Sequence, residues 1–124
     1  MASKVMFVAA AVLLALAPLA RAEGDPQTGE AVFKKNCAIC HTTEDGKNKI
    51  GPSLHGIVGR HSASLPSFQY SDAMKSADKT WDPQSLDSYL ANPRGLVAGT
   101  KMVFVGLKSE QDRQNVIAYL ATQK

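Results

Sequence analysis

Cys37-Ala38-Ile39-Cys40-His41 decides how this chain is read. Its two cysteines are the only ones among 124 residues. C-x-x-C-H is the spacing of c-type haem attachment. Two intervening residues let both sulfurs reach the two vinyl groups of one porphyrin as thioethers. The adjacent histidine then sits beneath the ring, where a neutral imidazole nitrogen can ligate iron. Three plainer readings compete. A disulfide is permitted in a secreted chain, but a redox C-x-x-C calls for a neighbouring βαβ pattern that this sequence lacks. Zinc needs four ligands; Cys37, Cys40 and His41 leave the fourth unassigned, and adjacent Cys40-His41 is awkward for tetrahedral closure.

Outward from the motif, the helices are few and the loops long. Asp25 reads as an N-cap with Pro26 at the first helical position. The helix that follows carries Val32 and Phe33 and ends near Asn36. A weaker, short helix fits Ser71 to Ser76. Asp82-Pro83 opens another, with Leu86, Tyr89 and Leu90 at i, i+3, i+4 spacing. Pro93 is expected to stop it at Asn92. The last helix starts at Ser109, with Asp112 three residues on, and its apolar face is Val116, Ile117, Tyr119 and Leu120. Between these lie irregular stretches from Thr42 to Tyr70 and from Asn92 to Lys108. No run alternates apolar and polar long enough for a sheet, so the expected class is all-α. Loops this long need something to order them.

The N-terminus reads as a secretory signal peptide over residues 1–22: Lys4 as basic flank, an apolar run from Val5 to Leu16, and Ala20-Arg21-Ala22 as cleavage site. From Val5 to Ala20 it falls short of a membrane span. Residues 23–124 then form one domain. Without the leader, about 36% of 102 residues are hydrophobic, lean for a chain that must build its own core. Lys4 and Arg21 leave with it, so the net charge of +3 falls to +1. That excludes a strongly basic nucleic-acid binder as a first reading, and the length excludes a multidomain enzyme. A sparse core with long loops points to a large non-protein group that supplies the missing apolar mass.

Haem iron with one histidine needs a sixth ligand or an open site. Of the two methionines beyond the leader, Met102 sits in the apolar strip Gly99-Thr100-Lys101-Met102-Val103-Phe104-Val105-Gly106-Leu107. Read from composition alone, Met102 serves equally as a thioether ligand or as core filler.

Motifs along residues 24–123 resemble the class I cytochromes c of mitochondrial type and their bacterial relatives, the cytochromes c2. They run in order: Gly29…Phe33…Cys37-Ala38-Ile39-Cys40-His41, Gly51-Pro52-Ser53-Leu54-His55-Gly56, Gly59-Arg60, Phe68-x-Tyr70, Thr80-Trp81, Tyr89-Leu90-x-Asn92-Pro93, Gly99-Thr100-Lys101-Met102-x-Phe104-x-Gly106 and Ile117-Ala118-Tyr119-Leu120. The resemblance implies a cytochrome c fold: three main helices, shorter ones and long loops wrapped around one covalently bound haem c. It makes Cys37 and Cys40 the attachment sites, and His41 and Met102 the axial iron ligands. The Pro52 carbonyl would orient His41. Arg60, Tyr70 and Trp81 would hold the haem propionates, Tyr89 would sit near the Met102 sulfur, and Phe104 would cover the haem edge. Gly29 would let the first and last helices cross closely, with Phe33 against Tyr119. His55 and His61 are read as solvent-facing.

Three positions depart from the family pattern. Met74 stands where a polar residue near an internal water is common, Ala98 replaces a proline and Gly95 replaces a lysine. The implied function is a monomeric periplasmic electron shuttle, not an enzyme. It would dock on membrane redox complexes through a basic rim of Lys35, Lys49, Arg94, Lys101 and Lys108. A haem enzyme or gas sensor with an open sixth position, and a carrier anchored by an uncleaved leader, are the competing readings.

Overall fold

The structure, a computed structural model, describes residues 11–12 and 24–124. The leader assigned to residues 1–22 lies outside them, save Ala11 and Val12. Among the described residues five helices follow in order: α1 (Pro26–Asn36), α2 (Asp72–Ser76), α3 (Pro83–Ala91), α4 (Pro93–Leu96) and α5 (Glu110–Ala121). Each begins on a short polar side chain that accepts a backbone N–H left over from the first turn. Asp25 accepts from Thr28 at 3.0 Å, Ser71 from Met74 at 3.0 Å, and Asp82 from Ser85 at 2.7 Å. Asn92 accepts from Gly95 at 3.1 Å and Ser109 from Asp112 at 3.2 Å. Proline occupies the first turn of α1, α3 and α4.

α4 corrects the expectation that residues 92–108 are irregular throughout. Pro93 does end α3, because Asn92 is driven to an extended φ of −157°. The same proline has its φ pre-set for a first helical turn, and the Asn92 side chain caps it, so the stop of one helix starts the next.

α1 and α5 cross at Gly29, where a Cβ would stand 1.9 Å from the Asn115 carbonyl oxygen. Phe33 and Tyr119 stack nearby with ring centroids 5.5 Å apart. Asn115 is buried, and its side-chain oxygen accepts from Asp25 N at 2.9 Å and Gln111 Nε2 at 3.0 Å. α3 is tied to α5 by Arg113, which donates to Asp87 at 2.7 Å and to the Leu107 carbonyl at 2.8 Å. The loop from Thr42 to Tyr70 contains no helix, as expected. It is pinned by its own polar groups: Asn48 donates to Ser67 and accepts from Ser53 N, and Leu54 N donates to Thr42 O. Among the described residues the nearest approach to a sheet is one antiparallel bridge, His61 with Thr80. His55 differs from its solvent-facing expectation. It is half-buried, with its ring Nδ1 donating to the Thr43 carbonyl at 3.1 Å.

Candidate functional site

The interior between α1, α3, α5 and the loops is a largely apolar cavity of about 430 Å³. Its base is built from the end of α1. Cys37 N donates to Phe33 O, and Cys40 N and His41 N both donate back to Cys37 O at 3.1 and 2.9 Å. This tight turn sets Cys37, Cys40 and His41 together on the cavity lining. Both thiols are free and half-buried. Burial, with Cys40 second, pushes the Cys37 thiol up to about 11.

His41 Nδ1–H donates to the Pro52 carbonyl at 2.8 Å. That fixes the tautomer and leaves the Nε2 lone pair free for a metal. Burial, chiefly, holds the ring below the ordinary histidine range; the Pro52 bond opposes this, and Lys49 and Arg60 add to it. The same burial favours the neutral ring, the form that ligates. A Cβ at Gly51 would fall 2.3 Å from the ring Cε1, so the imidazole occupies space that only glycine leaves open.

Met102 lines the same cavity from a separate segment between Gly99 (φ +90°) and Gly106 (φ +110°). Thr100 anchors this strap. Its Oγ1 accepts from Met102 N at 3.3 Å and lies 2.8 Å from the Tyr89 hydroxyl. Burial raises the Tyr89 phenol above its usual range, with the Thr100 bond opposing. Gly106 is required by contact, since a Cβ there would meet Ala91 O at 2.3 Å.

Pro52, Arg60, Tyr70, Trp81, Tyr89 and Phe104 all border the cavity as well. The Arg60 guanidinium donates to the Ser53 and His55 carbonyls at 2.9 and 3.1 Å. Trp81 packs 5.0 Å from Tyr89, and Tyr70 packs edge-on to Phe68 at 4.9 Å. Every residue assigned to the site from sequence therefore converges on one cavity. Thr100 and Gly51 carry contacts that sequence reasoning had not given them. Spacing holds no signal for these, because the contacts are made only once the loops have folded against their neighbours. Met74 borders the cavity too, and Ile39, Ile50 and Val103 stand exposed at its edge.

Of the five rim cations, all are exposed and Lys101 alone borders the cavity. Lys49 Nζ donates to the Ala38 carbonyl inside the attachment turn, and Lys101 Nζ reaches Gln69 O at 3.5 Å.

The donor set suits a covalently held macrocyclic metal group: two free thiols, one imidazole with a free Nε2, a thioether, and apolar walls. An all-α scaffold around such a cavity defines a c-type haem protein. A family model described as cytochrome c matches residues 26–124. The chain is 51% identical to the cytochrome c2 of Rhodomicrobium vannielii over 123 residues, 98% of this chain and 96% of that protein. It is 52% identical to a cytochrome c-type cyt cy of Rhodobacter capsulatus over 99 residues, 80% of this chain and 49% of the relative. The cytochrome c of Stellaria longipes is 48% identical over 99 residues, 79% of this chain and 92% of the relative. The chain belongs to the cytochrome c family. It is a c-type cytochrome, an electron carrier built on a covalently attached haem c.

Proposed function

We propose that Cys37 and Cys40 would hold the haem and that His41 and Met102 would both ligate its iron. The chain then shuttles single electrons and leaves no coordination site for substrate. The bound group would supply iron that changes between ferric and ferrous states. The protein's part is to keep everything around it still. Pro52 and Gly51 fix the His41 ring, and Thr100 and Tyr89 fix the strap that carries Met102. With both ligands restrained, little has to rearrange when charge changes, which favours fast transfer. The thioether raises the reduction potential relative to harder ligands. Arg60, Tyr70 and Trp81 would supply donors to the haem carboxylates, whose burial without them would be costly. The observation that carries this reading is that a histidine oriented by the Pro52 carbonyl and a tethered methionine share one apolar cavity.

Residues 1–22 are a leader removed on export, and the carrier works as a periplasmic monomer. No helix among the described residues is long and apolar enough to cross a membrane. Its partners are a quinol-oxidising cytochrome c reductase on one side and a terminal oxidase or photosynthetic reaction centre on the other. They meet Lys35, Lys49, Arg94, Lys101 and Lys108 around the exposed edge, through a small, weak interface.

The purified ferric protein tests the ligand assignment. It should show the weak red thioether-to-iron absorption band and bind carbon monoxide poorly once reduced. Met102→Ala should lose the band and lower the potential. Rapid carbon monoxide or peroxide binding by the unmodified protein would replace the carrier with a haem enzyme or gas sensor. N-terminal sequencing should begin at Glu23; an intact Met1 in the membrane fraction would mean an anchored carrier.

A further inference from the structure

The exposed turn Glu44-Asp45-Gly46-Lys47 stands outside the cavity lining. Asp-Gly is turn chemistry, and Gly46 takes a left-handed φ of 72° there. Lys47 pairs with Glu44 at 3.2 Å and leaves the Asp45 carboxylate to solvent. Among the described residues the Gly46 N–H meets no acceptor, and a Cβ placed on Gly46 would meet nothing within 4 Å. A carboxylate, an uncommitted amide nitrogen and open space thus meet at one peptide bond. No other aspartate or asparagine of the chain combines them. Asp25, Asp82 and Asn92 precede proline, which has no N–H. After Asn36, Cys37 N donates to Phe33 O at 2.8 Å; after Asn48, Lys49 N donates to Gly51 O at 3.0 Å. After Asp78, Lys79 N donates to Ser62 Oγ at 2.9 Å. Asp72, Asp87, Asp112 and Asn115 are held in helices.

We propose that Asp45 is a modification site: it isomerises to isoaspartate in the folded protein. The Gly46 nitrogen bonds to the side-chain carboxyl carbon of Asp45. The carboxyl hydroxyl leaves as water with the amide proton, and a five-membered imide closes. Water then adds at either imide carbonyl. Opening at the main-chain carbonyl leaves the peptide running through the side chain, with a free carboxylate on the α-carbon. One water is lost and one regained, so the step needs solvent alone and leaves the mass unchanged. Glycine favours closure because it has no Cβ to obstruct the attacking nitrogen. The isomer carries one extra carbon in its main chain, and that carbon falls at a sensitive point. Ser53, 2% exposed, is held from both sides of it: its Oγ donates to Glu44 O at 2.6 Å and its N donates to Asn48 Oδ1 at 3.0 Å. Lengthening the chain between Glu44 and Asn48 costs one of these bonds. Ser53 follows Pro52, whose carbonyl orients the His41 ring. Ageing at a surface turn therefore loosens the segment that holds the imidazole.

The test uses the haem-loaded protein, kept for weeks in warm neutral buffer and then mapped peptide by peptide. Electron-transfer fragmentation tells isoaspartate from aspartate where mass cannot. We expect isoaspartate at Asp45 and at no other aspartate. Asp45→Glu should lose the signal, because glutamate must close a larger ring and does so far more slowly. Asp45→Asn should react faster, releasing ammonia and adding one negative charge that ion exchange resolves. The separated isomer should unfold at a lower guanidinium concentration than its parent while keeping the covalent haem spectrum. Its unfolding constant should rise about fivefold, as for one lost hydrogen bond. An unmodified Asp45 at the end of the incubation would overturn the site. An isomer that unfolds together with its parent would overturn the link to Ser53 and His41.

Discussion

Gly51 and His41 share a space that admits one side chain. The ring cannot retreat without giving up its bond to Pro52. Gly51→Ala should therefore destabilise the holoprotein by about 1–3 kcal/mol, the usual cost of overpacking. Guanidinium titration should show it, with a shifted Soret band if His41 is displaced. Thr100→Val keeps the shape of the side chain but strips the acceptor from Met102 N and the partner from Tyr89. The red thioether band should then be lost at a lower denaturant concentration, by about 1–3 kcal/mol. The covalent haem spectrum should persist. At this scale the sequence was most readable where chemistry is local. Cys37, Cys40 and His41 are adjacent, and their spacing alone names the cofactor. Thr100 and Gly51 act through contacts that exist only in the folded loops. Nothing in their neighbours announces them.

The helices were legible from their ends more than their faces. Asp25, Asp82 and Ser109 each cap where the sequence places a helix start, and Ser71, read as the first residue of a short helix, caps it instead. Ser109→Ala should cost about 1 kcal/mol, read from thermal or denaturant unfolding. Hydrogen bonds to the Thr28 hydroxyl and N–H hold the Asp25 carboxyl below the usual carboxylate range, and bonds from Ser85 do the same for Asp82. A lowered carboxyl contributes stability above its unfolded pKa of about 3.9 and loses it as pH falls through the folded value. Asp25→Ala should thus lower the melting temperature at pH 7 and make a smaller difference near pH 3. α4 escaped notice because Pro93 was read as a stop and not also as a start. Gly29→Ala is the severe substitution at this scale. With a backbone oxygen 1.9 Å from the added carbon, α1 and α5 must separate, and the folded yield should fall sharply.

As a whole the molecule is organised around a group it does not encode. Without that group the apolar walls of a cavity of about 430 Å³ would face water, which the chain's own few apolar side chains cannot offset. Cys37→Ala with Cys40→Ala, prepared without haem, should lose most of its far-ultraviolet helical signal, whereas the holoprotein keeps it. The lean hydrophobic content made this dependence visible in advance, and the family motifs supplied the wrapping that periodicity could not. The rim is a surface property, and its test is kinetic. Electron transfer to the proposed membrane partners should slow as ionic strength rises, and Lys101→Glu should slow it further at low salt.

The crossing of α1 and α5 joins Asp25 to Asn115 across 90 positions. Ribosomes deliver the amino end first, so both thiols emerge long before the helix that closes over them is made. Until that final segment arrives, the contact that shuts the amino-terminal helix against the rest of the molecule has no second half to bind, and the two thiols stand on an unclosed chain.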